Sequence, residues 1–260
     1  MRPELAMPVI PADVPRHPAK FSETILGAMV EHVHGRVLDP FAGVGRVHAL
    51  ASVPGVIDTT GVELEVDWAR AHPRTIVGNA LALPFRAASF DTVATSPCYG
   101  NRLADHHVAR DGSERHSYTH DIGHELHPDN AGRLHFGDEY RRFHADAWRE
   151  VKRVLRPGGI FLLNVCDFIS RGQLVPVVAF HRIALQRIGF TQTHEVLTRR
   201  SGLRHGANRE ARAEHEVILV AHNAPVRRPL PRRARAPRAR QLPPQLDGQL
   251  TIYDVLGESP

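Results

Sequence analysis

The sequence has few cysteines and no long apolar run. Only Cys98 and Cys166 occur among 260 residues, too few for a disulfide scaffold or a four-thiolate zinc site. The longest apolar stretch, 160–166, is interrupted by Asn164 and falls far short of the roughly 20 residues that a membrane span needs. The chain does not open on a charged segment followed by an apolar run, so we predict no secretory signal. These absences favour a cytoplasmic protein with no membrane partner.

The net charge of +5 is distributed unevenly along the chain. The segment 225–260 has seven arginines and three acidic residues, a net charge of +4, which leaves +1 for the first 224 residues. Clustered arginines can neutralise successive phosphates, so this tail indicates nucleic acid as a partner. The alternative is a solvated tail that only adds solubility.

Short apolar segments typical of strands alternate along the chain with helical segments, and this alternation predicts an α/β protein. Expected strands are 36–39, 56–63, 75–78, 90–95, 159–166, 190–198 and 215–221, and expected helices are 21–34, 44–53, 65–72, 138–155 and 174–188. Such alternation predicts a doubly wound, mostly parallel sheet. The expected regions are an N-terminal arm (1–16), one main domain (17–222), a basic Pro/Arg linker (223–245) and a tail peptide (246–260). The segment 100–137, dense in His, Asp, Arg and Gly, is expected to be a long inserted loop.

A glycine turn follows the first expected strand. Residues 37–45 (VLDPFAGVG) predict a strand, a tight turn with two glycines and the start of a helix. Glycines allow the backbone to approach a ligand closely, and a helix start directs N–H groups toward it. The third glycine of the dinucleotide fingerprint is missing, which argues against NAD. Glu63 ends the next strand, where a carboxylate would meet a ribose diol.

Further motifs follow in a definite order. His17-Pro18 lies upstream of the glycine turn, 78–80 (GNA) closes the third strand, and 95–99 (TSPCY) follows the fourth. Over residues 17–222 this order resembles the S-adenosylmethionine-dependent amino-methyltransferases, which act on exocyclic nitrogens of nucleobases. The stretch 96–107 (SPCYGNRLADHH) is also similar to small actinobacterial and phage-type DNA methylases.

The resemblance implies a seven-stranded, Rossmann-like class I methyltransferase sheet and S-adenosylmethionine as the cofactor. The cofactor-binding residues that it implies are His17, Phe21, Asp39, Pro40, Phe41, Gly43, Gly45, Glu63, Asn79 and Ala80. The catalytic block that it implies comprises Ser96, Pro97, Cys98 and Tyr99.

The chemistry of an exocyclic amine explains the residue types in this block. The lone pair of the amine is delocalised into the base, so catalysis needs groups that accept its N–H bonds and an aromatic face for the extruded base. Ser96 and the Pro97 carbonyl can accept, and Tyr99 can stack. A sulfonium is already a good leaving group, so no metal site is expected, although eight histidines lie in 106–144. The resemblance further implies that serine rather than aspartate at position 96 favours N4-cytosine over N6-adenine as the target.

Cys98 departs from the family pattern, which has a second proline at this position. The resulting Pro-Cys pair resembles the nucleophilic motif of cytosine C5-methyltransferases, whose thiolate attacks the base. The alternative is a small buried residue that fills the space of the proline. We favour the second interpretation because Tyr99 belongs to the amino class and because no Glu-Asn-Val occurs at the next catalytic strand, where Asn164 begins Asn-Val-Cys-Asp.

Substrate contacts are expected outside the cofactor motifs. Asn101 and Arg102 follow the catalytic block, and Arg204 and His205 lie in a basic loop between the last two strands. The insertion 100–137 is the expected target-recognition element, and together with the basic tail it is expected to contact DNA. An RNA methyltransferase, a C5-methyltransferase using Cys98 and a catalytically inert nucleic-acid-binding module remain alternatives.

A short peptide near the C-terminus has a pattern of its own. Residues 249–253, Gln249 to Tyr253, resemble the QLxLF-type peptide by which bacterial replication proteins dock on the sliding clamp. The peptide ends a Pro-rich tether, where such docking peptides belong. The alternative is an apolar terminus without a partner.

Overall fold

The computed structural model describes residues 4–19, 21–100, 117–170, 172–199 and 215–224. Its strands are β1 (Gly35–Asp39), β2 (Val56–Glu63), β3 (Thr75–Val77), β4 (Phe90–Thr95), β5 (Leu155–Val165), β6 (Phe168–Ser170), β7 (Gln173–Val175), β8 (Phe190–Arg199) and β9 (His215–Asn223). Its α-helices are α1 (Glu23–Met29), α2 (Val66–Ala69), α3 (Tyr118–Ile122), α4 (Asp138–Val154) and α5 (Val177–Ile188). Short 3₁₀ helices cover Arg46–Ser52 and Ala131–Arg133.

Seven of these strands form one sheet in the order β3-β2-β1-β4-β5-β9-β8. The pairs from β3 to β5 are parallel, and β9 runs antiparallel to both of its neighbours. This is the doubly wound, mostly parallel seven-stranded sheet expected of a class I methyltransferase fold, so the predicted fold class is confirmed. Strands β6 and β7 form a separate hairpin.

The hydrophobic core lies on both faces of the sheet, because successive side chains of a strand point to opposite sides. In β5, Leu163 packs on the face covered by α4 and α5, where α4 contributes Trp148. Leu162 packs on the opposite face with Leu26 of α1 and Leu50 of the first 3₁₀ helix. All five side chains are buried. No helix in the described ranges is both long and apolar enough to cross a membrane.

Several local predictions need correction. The helices expected over 21–34 and 65–72 cover only Glu23–Met29 and Val66–Ala69, and β5 begins at Leu155 rather than at 159. The helix expected over 174–188 begins only at Val177: Pro176, which has no N–H to donate, precedes it, and 173–175 pairs instead with β6. The helix expected over 44–53 is a 3₁₀ helix, and it starts after Gly45, whose φ of 75° is left-handed. The insertion 100–137 is not simply a loop, because α3 and the second 3₁₀ helix lie within its described part.

The order of the strands gathers the chain's motifs at one edge of the sheet. The strand order reverses between β1 and β4, and ligands of such folds bind beyond the carboxyl ends of the strands at this switch point. The glycine turn follows β1 and the block 96–99 follows β4. Because β9 is antiparallel, its first residues lie at this same edge, opposite the end of β5.

Candidate active site

A cavity of about 220 Å³ opens at the carboxyl edge of the parallel strands. The predicted site residues that line it are His17, Phe21, Pro40, Phe41, Gly43, Glu63, Asn79, Ala80, Ser96, Pro97, Cys98 and Tyr99. Two others, Asp39 and Gly45, are buried and do not line it. The predicted substrate residues Asn101, Arg102, Arg204 and His205, the tail 225–260 and its peptide 249–253 lie outside the described residues. The structure therefore brings the motifs predicted for cofactor binding and for catalysis into one cavity.

Glu63 and the glycine turn form the floor of the cavity. The Gly43 N–H donates to Glu63 Oε2 at 2.8 Å, and the N–H groups of Leu64 and Glu65 donate to Oε1 at 2.9 Å. Gly43 has a φ of 51°, and a Cβ there would lie 3.1 Å from His17 Nε2, so glycine permits this close approach. Burial raises the pKa of Glu63 to about 7. Three backbone donors thus hold the carboxylate in one orientation.

Asp39 connects the loop after β1, which carries the glycine turn, to the end of β4, which precedes the block 96–99. Its Oδ1 accepts from the Thr95 hydroxyl at 2.6 Å and from the Phe41 N–H at 3.0 Å, while its Oδ2 is buried without a partner among the described residues. Burial raises the pKa of Asp39 to about 7. This carboxyl group therefore positions the loop after β1 against the end of β4.

Asn79 meets a part of the insertion that the sequence pattern assigned to target recognition. Its Oδ1 accepts from the Leu81 N–H at 2.9 Å, and its Nδ2 donates to Asp129 Oδ2 at 3.3 Å. Asn130 also lines the cavity and donates to Glu65 Oε1 at 2.7 Å. Asp129 and Asn130 were missed because their link to Asn79 and Glu65 spans about 50 and 65 residues of sequence.

His17 is enclosed by aromatic rings on the same wall. Its ring centroid lies 4.3 Å from that of Trp68 and 5.3 Å from that of Tyr118. Burial lowers the pKa of His17 to about 4, so the ring is neutral at pH 7. Its Nδ1 lies 2.6 Å from the Ala19 carbonyl and must donate there, which leaves Nε2, toward Gly43, as an acceptor.

A group of four polar side chains, here called the Glu216 cluster, lies where the predicted catalytic block lines the cavity. The Tyr99 hydroxyl donates to Glu216 Oε2 at 2.9 Å and lies 2.9 Å from Ser96 Oγ. Asn164 Nδ2 lies 2.7 Å from Glu216 Oε2, 2.8 Å from Tyr99 Oη and 3.1 Å from Ser96 Oγ. Burial raises the pKa of Tyr99 well above its usual value, so its hydroxyl is neutral. Sequence reasoning assigned no role to Asn164 or Glu216.

Cys98 points away from this cluster. Its Sγ lies 3.5 Å from the Tyr118 hydroxyl, within an apolar group that includes Val44 and Trp68. Burial raises the pKa of the thiol to about 11, so it is protonated at neutral pH. A protonated thiol is a poor nucleophile, which agrees with a space-filling residue.

A buried chain of hydrogen bonds holds the backbone of the catalytic block from behind. The Trp148 indole N–H can only donate and lies 3.0 Å from His181 Nδ1. Burial lowers the pKa of His181 well below its usual value, so the neutral ring carries its proton on Nε2 and donates to Tyr140 Oη at 3.0 Å. The Tyr140 hydroxyl in turn donates to the Cys98 carbonyl at 3.0 Å. The donor and the acceptor of each of these three hydrogen bonds are therefore fixed.

We expect Tyr140→Phe to destabilise the protein by about 1–3 kcal/mol, because it leaves the Cys98 carbonyl and His181 Nε2 buried without a partner. The measurement is the free energy of unfolding in urea, compared with that of the unsubstituted protein. An unchanged free energy would show that water or another group replaces the hydroxyl.

No protein-family profile and no curated protein sequence matches the chain. Solved structures resemble its fold. A SAM-dependent methyltransferase from Methanosarcina mazei is 14% identical with a TM-score of 0.44, over 73% of this chain and 92% of that one. The Burkholderia thailandensis 1,6-didemethyltoxoflavin-N1-methyltransferase, with its substrate and S-adenosylhomocysteine, is 20% identical with a TM-score of 0.44, over 77% and 76%. A geranyl diphosphate methyltransferase with sinefungin is 14% identical with a TM-score of 0.48, over 77% of both chains. The functional argument rests on the site's own residues.

Proposed function

We propose that the chain is an S-adenosylmethionine-dependent DNA methyltransferase that modifies the exocyclic amine of a flipped base, with N4-cytosine favoured over N6-adenine. The observation that carries this proposal is the single cavity shared by Glu63 and the Gly43 turn at one end and by Ser96, Pro97 and Tyr99 at the other. A methyl donor bound at the first group and an acceptor amine bound at the second would lie side by side. We also propose that the protein acts in the cytoplasm.

The residues present fit S-adenosylmethionine. Glu63 offers a fixed carboxylate to ribose hydroxyls, and Asn79 lies on the same wall for the adenine. The left-handed Gly43 keeps the floor free of a side chain, and the neutral His17 presents an acceptor beside it. When bound, S-adenosylmethionine supplies a methyl group on a sulfonium, which needs no activated nucleophile from the protein.

The catalytic end fits an amine rather than a ring carbon. Ser96 Oγ and the Pro97 carbonyl can accept the N–H bonds of the amine, which favours the pyramidal nitrogen that methyl transfer requires. The Tyr99 ring offers an aromatic face on the cavity wall. The base must leave the duplex to reach these groups, at a cost of a few kcal/mol. Support for DNA comes from the resemblance and from the seven arginines of the tail.

Cys98→Ala should retain most of the methyl-transfer activity, because the thiol is protonated and faces Tyr118 rather than Ser96. The measurement is the rate of methyl incorporation into DNA by the purified variant. A folded Cys98→Ala protein with no activity would instead favour attack by the thiol and C5-methylcytosine as product.

Nucleoside mass spectrometry tests the proposed function directly. DNA and RNA are taken from cells expressing the protein and from cells expressing Tyr99→Ala. We expect N4-methylcytosine or N6-methyladenine in DNA with the unsubstituted protein only. Methylation confined to RNA would change the substrate. If neither nucleic acid carries a mark, and calorimetry shows no binding of S-adenosylmethionine to the folded protein, an inert nucleic-acid-binding module becomes the better interpretation.

We further propose that Gln249 to Tyr253 docks on a sliding clamp, which would hold the enzyme near newly replicated DNA. The support is the peptide pattern and its place at the end of a Pro-rich tether. A clamp pull-down that is lost on Gln249→Ala is the expected result, and a tail peptide that does not bind the clamp would contradict it.

A further inference from the structure

The Glu216 cluster has more acceptors than donors at the catalytic end of the cavity. An ionised Glu216 can only accept, so the Asn164 amide must turn its nitrogen toward Oε2, at 2.7 Å. That nitrogen has two hydrogens but three oxygen neighbours: Glu216 Oε2, Tyr99 Oη and Ser96 Oγ. Because Tyr99 donates to Glu216, the Ser96 hydroxyl donates to Tyr99 Oη, so all three oxygens accept from within the cluster. The Ser96 oxygen still has a lone pair for a donor from outside the cluster.

Glu216 has further acceptor capacity. Within the described ranges, its side-chain hydrogen bonds all use Oε2, from Tyr99 and Asn164. The side chain is only partly buried and lines the same cavity as Ser96 and Pro97. A ligand that carries N–H bonds into this end of the cavity meets a negatively charged group as well as a hydroxyl.

We propose that Glu216 is a catalytic residue that accepts the proton of the target amine, an inference that rests on the proposed function. The amine nitrogen forms a bond to the methyl carbon while the carbon–sulfur bond breaks and its electron pair stays on sulfur. The nitrogen becomes positively charged, and one of its N–H protons passes to the Glu216 carboxylate. The products are the neutral methylated amine, the sulfide and a protonated Glu216, which returns its proton to solvent.

The identity of residue 96 is the reason why a carboxylate is needed nearby. A serine hydroxyl can accept a hydrogen bond from the amine, but it does not take up a net proton at neutral pH. Glu216, joined to Ser96 through the Tyr99 hydroxyl, supplies the negative charge that opposes the charge developing on nitrogen. Ser96 therefore orients the amine, and Glu216 stabilises its charge and removes the proton.

The test uses the full chain, tritiated S-adenosylmethionine and PCR-amplified DNA, which carries no methylation. Glu216→Gln keeps the size and one acceptor of the side chain but removes its charge. We expect the single-turnover rate of methyl transfer to fall by about 100-fold. Calorimetry should show unchanged affinity for S-adenosylmethionine, because Glu216 lies at the catalytic end. The exposed Glu139→Gln on α4 is the matched control and should transfer at the unsubstituted rate.

A wild-type rate for Glu216→Gln would overturn the role of Glu216 and leave the proposed function intact. If the unsubstituted protein transfers nothing to DNA or RNA, the proposed function itself fails. Should Glu216→Gln be unable to bind the cofactor, Glu216→Ala with added formate decides the matter. Restored transfer with formate would support a carboxylate acceptor at this place, and no restoration would overturn it.

Discussion

Glu63→Gln should weaken the binding of S-adenosylmethionine by about 100-fold or more, the largest change in cofactor affinity that the site predicts. Each hydrogen bond to a charged group contributes roughly 1.5–3 kcal/mol, and a ribose diol can donate two. The Glu63 carboxylate is fixed by three backbone N–H groups, so it loses little freedom on binding. Calorimetric titration of the purified variant measures the change.

The affinity for S-adenosylmethionine should also depend on pH, because the ionised form of Glu63 accepts best from ribose hydroxyls. Burial raises the pKa of the free Glu63 carboxyl to about 7, and donation from ribose hydroxyls favours its ionised form and lowers that pKa. Full affinity is therefore present above pH 7 and is lost as the pH falls through that value, at most about tenfold per unit. Besides burial, the charge of Glu65 adds to the raised pKa of Glu63, and the charge of Glu63 adds to the raised pKa of Asp39.

Glu63→Gln should flatten most of this dependence, and any slope that remains would report Asp39, whose pKa is also raised to about 7. The exposed Glu139→Gln serves as the control and should bind with the affinity and slope of the unsubstituted protein. Affinity that stays constant from pH 5 to pH 8 in the unsubstituted protein would contradict a ribose contact at Glu63.

The fold was predictable because the sequence patterns that indicate its strands and its glycine turn are local. The segments predicted as strands at 56–63 and 90–95 match β2 and β4 residue for residue, because both are rich in the β-branched and aromatic residues that favour strands. The Gly43 turn was predictable for a similar reason: a left-handed backbone and a close approach both require glycine. The start of α5 was missed because the apolar residues before Pro176 suit a hairpin strand as well as a helix.

The less predictable part of the site depends on contacts across the chain. Glu216 lies 117 residues from Tyr99 and Asn164 lies 65 residues from it, and no short motif links them. A signal was nevertheless present. Asn164 is a polar residue near the end of a buried apolar strand, and Glu216 is the second residue of the antiparallel strand beside it. Polar residues at the functional edge of a sheet are expected to line its ligand site.

Tyr99→Ala should slow methyl transfer by about 1,000-fold, because it removes both the aromatic face and the hydroxyl that joins Ser96 to Glu216. Tyr99→Phe separates the two contributions: it keeps the ring, and the rate should fall by only about tenfold. Single-turnover rates on the same PCR-amplified DNA measure both. Affinity for S-adenosylmethionine should be unchanged in each variant, since its proposed contacts lie at the Glu63 end of the cavity. Equal losses for the two variants would show that the hydroxyl within the Glu216 cluster, rather than stacking, makes Tyr99 essential.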